Sequence, residues 1–132
     1  MTNPSSQRPK VIVGISGSIG AYKAAELVRL LTDRTYRVQV VMTRSARKFI
    51  HPLTFAALTK DKVITDLFPE NGGEADFDNS IEHISIAQET DLLLLAPATA
   101  DIHAKFETGI ADDFLTTIHL AYNQPDLVAP AM

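Results

Sequence analysis

Two periodicities of apolar residues alternate along this chain. A continuous run, Val11-Ile12-Val13-Gly14-Ile15, gives way to a helical pattern over Ala21 to Thr32, and a second apolar run follows at Val38 to Met42. A helical stretch from Ala46 to Thr59 comes next, interrupted at Pro52. Beyond it lie a polar, glycine-containing loop from Pro69 to Ser80 and a short helical segment around His83 to Glu89. The run Asp91-Leu92-Leu93-Leu94-Leu95-Ala96 suits a central strand covered on both faces. Pro97 to Asp101 turns the chain into a helix ending near Gly109, Asp112 is placed to cap a further helix through about Tyr122, and Leu127 to Ala129 begins another strand. Strands alternating with helices predict parallel βαβ units, and hence an α/β fold whose strand carboxyl ends share one edge.

That edge collects small polar residues. Ser16-Gly17-Ser18, Thr43-Arg44-Ser45 and Ala98-Thr99-Ala100-Asp101 each follow a strand, so the topology brings them around one crevice. The first is the most informative, because a buried strand runs through it directly into a helix. The unpaired N–H groups and positive dipole end of that helix can hold an anion. A glycine there lets the backbone approach closely, and serine hydroxyls add hydrogen bonds to phosphate oxygens. The glycines at 14, 17 and 20 read Gly-x-x-Gly-x-x-Gly, which is not the dinucleotide spacing, and no Lys-Ser/Thr pair follows as in a P-loop. A mononucleotide or flavin phosphate therefore fits better than NAD or ATP. The competing explanation is that each cluster only caps the next helix, with Arg44 in an exposed salt bridge in place of a phosphate contact.

Composition narrows the function classes. The 132 residues make one domain with room for a real core and one active site. A formal charge of −4, with neither a basic stripe nor a basic amphipathic helix, argues against nucleic-acid or membrane-surface binding. No cysteine is present, which removes disulfides, thiolate metal sites and cysteine nucleophiles from these residues. Met1 to Lys10 is polar and expected to be disordered, and no apolar run reaches membrane-spanning length, so a cytoplasmic protein is expected. Of the histidines, His51 precedes a proline, His103 and His119 lie within helical patterns, and only His83, at the end of the polar loop, is placed as a general base could be. No spacing matches a metal motif, and the acidic loop at 70–78 lacks the terminal Glu of a calcium-binding EF-hand loop.

Six segments, taken in order, resemble the flavoprotein cysteine decarboxylases. They are Val-Gly-Ile-Ser-Gly-Ser-Ile-Gly-Ala-Tyr-Lys at 13–23, Val-Met-Thr-Arg-Ser-Ala at 41–46, Ile-Glu-His-Ile at 81–84, Ala-Pro-Ala-Thr-Ala-Asp at 96–101, Gly-Ile-Ala-Asp-Asp-Phe-Leu-Thr-Thr at 109–117 and Ala-Pro-Ala-Met at 129–132. The resemblance implies a Rossmann-like (flavodoxin-like), doubly wound parallel sheet in three αβα layers, spanning 11–132 and binding FMN as a homotrimer or a multiple of trimers. It implies that Gly17, Ser18, Ile19, Thr43, Ser45, Thr99, Ala100, Asp101 and Ile102 contact FMN, that Ala131 approaches the flavin ring, and that His83 is the active-site base. The implied reaction is decarboxylation of 4′-phospho-N-pantothenoylcysteine in coenzyme A biosynthesis. A peptidyl-cysteine decarboxylase, a flavin prenyltransferase of the same fold and a non-catalytic flavin-binding or regulatory subunit are the alternatives. The family carries an Asn after Pro-Ala-Met and a later cysteine-bearing flap, so the expectation is a domain whose carboxyl-terminal part lies beyond Met132.

Overall fold

The computed structural model describes residues 8–65, 84–122, 124 and 126–130. Four parallel strands form one sheet: β1 (Lys10–Ile15), β2 (Arg37–Met42), β3 (Leu92–Ala98) and β4 (Asp126–Pro130), in the spatial order β2-β1-β3-β4. The helices among the described residues are α1 (Ala21–Asp33), α2 (Pro52–Thr59), α3 (residues 84–89), α4 (Ala100–Thr108) and α5 (Phe114–Ala121), with a 3-10 turn at Ala46–Lys48.

Alternation along β1 explains the layering. Val11, Val13 and Ile15 point to one face, where they pack with Ala21, Ala24 and Val28 of α1 and Phe55 of α2. Ile12 points to the other, into a second core with Leu93 and Leu95 of β3, Ile102 of α4, and Leu115 and Ile118 of α5. The result is an αβα sandwich with a doubly wound sheet. Two reciprocal bonds pin its register at the amino end: the Lys10 N–H donates to Asp91 Oδ2 at 2.8 Å, and the Asp91 N–H donates to the Lys10 carbonyl at 2.9 Å.

Several boundaries differ from the sequence expectation, each for a local reason. Pro52 starts α2 and does not interrupt a longer helix, because its missing N–H costs nothing at the first helical position. His51 caps that helix, its Nδ1 accepting from the Leu53 N–H at 3.1 Å. Strand β3 continues through Pro97 to Ala98, and the pairing with β4 shifts register between Leu95 and Ala98 around the residue that has no N–H. The cap of α5 is Asp113 and not Asp112: Asp113 Oδ1 accepts from the Thr116 N–H while the Thr116 hydroxyl accepts from the Asp113 N–H. β3 is also less covered than its apolar run suggests, since Leu92, Leu94 and Ala96 are only half-buried. The polar loop at 69–80 lies outside the described residues.

Candidate functional site

The strand order reverses between β1 and β3: the chain leaves β1 toward β2 on one side, then returns to build β3 on the other. Diverging connections open a crevice at the carboxyl ends of those two strands, the position where open α/β sheets bind ligands. Ser16 locks its floor. Its N–H and its hydroxyl both donate to the Pro97 carbonyl, at 3.2 and 2.5 Å, and its Oγ accepts from the Thr99 N–H at 3.0 Å. Ser16 is 3% exposed with every hydrogen-bonding group used, so it is a latch between the strands and not a ligand contact.

Around that floor lies a cavity of about 290 Å³. The three predicted clusters do meet there: Ser16 and Gly17, then Thr43, Arg44 and Ser45, then Thr99, Asp101 and Ile102 all line it. Gly17 explains how the first two loops come so close. A Cβ built on it would fall on Ser45 Cβ and 2.8 Å from the Ser45 carbonyl carbon, so a side chain at 17 would push the loops apart. Sequence reasoning took this glycine as space for a ligand, whereas in the structure the Ser45 backbone uses that space.

Capping and binding are compatible here. Thr43 Oγ1 accepts from the Ala46 N–H at 3.2 Å, Ser18 Oγ from the Gly20 N–H at 3.1 Å, and Thr99 Oγ1 from the Ile102 N–H at a long 3.4 Å. Each cap occupies a lone pair and leaves the hydroxyl proton able to donate to an anion. Among the described residues the backbone N–H groups of Gly17, Arg44 and Ser45 have no acceptor, and neither does the Ser45 hydroxyl. Backbone donors without acceptors, on residues that line one cavity, suit the oxygens of a phosphate group. A volume near the lower end of ligand pockets, roughly 300–1000 Å³, suits the phosphate-bearing end of a flavin nucleotide, with the remainder outside.

Other predicted residues stand elsewhere. Ser18 is buried in the turn after β1, Ile19 in the same turn is 75% exposed, and Ala100 occupies the exposed first position of α4. Ile102 lines the cavity but seats its side chain in the core. His83 and Ala131 lie outside the described residues. Of the remaining histidines, His119 stacks on Phe106 and meets Asp126 Oδ2 at 3.2 Å, away from the crevice.

Two lining residues escaped the sequence reading: Lys105 and Asp113. Lys105 Nζ lies 3.4 Å from Asp101 Oδ2 and 3.1 Å from Asp112 Oδ2. Partial burial pulls its pKa down, but hydrogen bonds and charge from Asp112, then Asp101, outweigh burial and hold the ammonium above its ordinary value. The i,i+4 spacing of Asp101 and Lys105 was a usable signal, whereas the bond to Asp112 was not, since it depends on how α4 and α5 pack. Among the described residues no group of His, Cys, Asp and Glu could hold a metal ion, and no helix is long and apolar enough to cross a membrane.

A family profile described as "Flavoprotein" matches residues 2–132. The chain is 47% identical over 123 residues to the coenzyme A biosynthesis bifunctional protein CoaBC of Vibrio parahaemolyticus, covering 93% of this chain and 30% of that protein. It is 44% identical over 122 residues to CoaBC of Bacillus subtilis, covering 92% of this chain and 29% of that one. The chain thus spans about 30% of the length of these relatives. Among solved structures, the FMN-dependent cysteine decarboxylase SpaF superposes with a TM-score of 0.79 at 32% identity, covering 97% of this chain and 70% of that one. A PPC decarboxylase mutant complexed with pantothenoylaminoethenethiol superposes with a TM-score of 0.76 at 28% identity, covering 96% and 68%.

Proposed function

The chain belongs to the flavoprotein family, and we propose that it carries the FMN-dependent decarboxylation of 4′-phospho-N-pantothenoylcysteine to 4′-phosphopantetheine. The observation that carries this reading is the crevice at the β1/β3 switch point, where Gly17, Arg44 and Ser45, whose backbone N–H groups have no acceptor among the described residues, line one cavity. The relatives supply the chemistry: the identity to CoaBC is higher than that to the cysteine decarboxylase SpaF, which favours the coenzyme A precursor over a peptidyl cysteine as substrate.

In this reading the backbone of 17–18 and the hydroxyls of Thr43, Ser45 and Thr99 would hold the FMN phosphate, Ile19 and the start of α4 at Ala100, Asp101 and Ile102 would contact the rest of the nucleotide, and Ala131 would approach the flavin ring. FMN, when bound, supplies the electron sink that a cysteine-derived carboxylate lacks. The chain's own tasks are orientation and proton handling. His83 would serve as the base that accepts a proton from the cysteine moiety of the substrate. The proposed assembly is a cytoplasmic trimer, or a multiple of trimers, and the exposed apolar residues Ile19, Tyr22, Phe49 and Leu53 are surface that neighbouring copies would cover.

The test is anaerobic mixing of the flavin-loaded chain with 4′-phospho-N-pantothenoylcysteine, read by flavin bleaching and by the mass of the product. The expected outcome is bleaching with loss of carbon dioxide from the substrate. Unchanged flavin and intact substrate would leave a binding or regulatory role in its place. Sedimentation checks the assembly, and a stable flavin-loaded monomer would overturn the trimer.

A further inference from the structure

Two carboxylates, Asp101 and Asp113, line a crevice whose backbone donors suit an anion, and a third, Asp112, lies beside it. Uncompensated, such charges would repel a phosphate dianion. Lys105 sits between Asp101 and Asp112, and the three side chains are layered: Lys105 is 24% exposed, whereas Asp112 is 54% and Asp101 76% exposed. The cation is therefore innermost and the anions face solvent, where water screens them. Asp113 is occupied differently, its Oδ1 accepting from the Thr116 N–H and hydroxyl at 2.8 Å each.

We propose that Lys105 is a positioning and specificity residue, which pairs with Asp101 and Asp112, cancels their charge at the crevice wall and so lets the crevice prefer a phosphorylated flavin over its unphosphorylated form. This inference rests on the reading of the crevice as the FMN phosphate site. It goes beyond that reading in assigning selectivity to a side chain held by two carboxylates on separate elements, α4 and the segment leading into α5. Partial burial, opposed by both carboxylates, keeps Lys105 charged across the neutral range, as the role requires.

The experiment compares FMN with riboflavin, which differs only by the phosphate. Dissociation constants for both are measured by flavin fluorescence on the flavin-free full chain and on Lys105→Met, Lys105→Arg and Asp112→Asn. Lys105→Met should weaken FMN binding on the order of tenfold at low salt while leaving riboflavin binding within about twofold. The gap should shrink at about 1 M salt, where the screening length falls to ~3 Å. Lys105→Arg should restore the preference, and Asp112→Asn should tighten FMN without tightening riboflavin. Asp112→Asn also carries the test if Lys105→Met does not fold. An equal loss of both flavins in Lys105→Met, or an unchanged FMN-to-riboflavin ratio in Asp112→Asn, would make Lys105 a plain brace between helices and overturn the proposal. A wild-type chain that binds FMN no better than riboflavin would instead remove the phosphate site itself.

Discussion

Replacing Gly17 by alanine adds one methyl group at the tightest point of the crevice. Its Cβ would lie 2.8 Å from the carbonyl carbon and 3.1 Å from the Cα of Ser45. Carbon atoms rest at about 3.5–4.0 Å, so the 43–45 loop must retreat by roughly 1 Å. Backbone cannot rotate away as a flexible side chain can, and overpacking of this kind costs about 1–3 kcal/mol. For a domain of this size that corresponds to a melting temperature lower by roughly 4–12 °C. The larger effect falls on binding. A phosphate bond of about 2.9 Å stretched by 1 Å is lost, and each charge-assisted bond contributes about 1.5–3 kcal/mol. Loss of one or two predicts FMN affinity down by on the order of a hundredfold. Two controls locate the effect. At Gly20, with φ −66° and a nearest atom 3.4 Å away, alanine should be tolerated with FMN retained. At Gly109, φ +75° with open space around the new Cβ, alanine should cost about 1 kcal/mol through backbone strain and leave FMN bound. Thermal melts and flavin titration of the three variants decide the matter. Gly17→Ala with unchanged melting temperature and FMN affinity, or Gly109→Ala losing flavin to the same extent, would refute the packing argument.

Three further outcomes follow from the structure. Ser16→Ala leaves the partly buried Thr99 N–H without its acceptor and should lower stability by about 1–3 kcal/mol in urea unfolding, an unshifted midpoint counting against the latch. Burial lowers the Lys10 pKa against the opposing pull of Glu89, so the folded chain binds that proton less tightly than the unfolded one, and stability due to this group rises with pH between the lowered value and 10.5. Lys10→Met should therefore match or exceed wild type by about 1 kcal/mol at neutral pH, with the difference narrowing as pH climbs, and a widening difference would reverse the sign. His83→Asn should keep FMN and lose decarboxylation by on the order of a hundredfold or more, whereas near-normal product formation in the loaded variant would reduce His83 to a surface residue.

The elements legible in the sequence were those whose apolar period is unbroken. β1, α1 and β2 were located to within a residue because Val11 to Met42 carries each period clearly between turn residues. What escaped depends on packing across the fold. Asp112 and Asp113 are equally good caps in sequence, and only the seating of Phe114 and Leu115 in the core selects the second. Pro52 could break a helix or begin one, and the His51 side chain on the Leu53 N–H decides for the latter. The three strand-end clusters were found because topology alone brings them together. Lys105 was missed because one of its two partners is reached through tertiary structure.

Whether the β1/β3 switch-point crevice holds the phosphate of a flavin mononucleotide is decided by a crystal structure of the chain grown with FMN. The phosphate oxygens should lie within about 3 Å of the N–H groups of Gly17 and Ser45 and of the Thr43, Ser45 and Thr99 hydroxyls. A phosphate seated elsewhere would contradict it, above all in the polar cavity at the opposite end of the sheet lined by Arg8, Arg37 and Lys60.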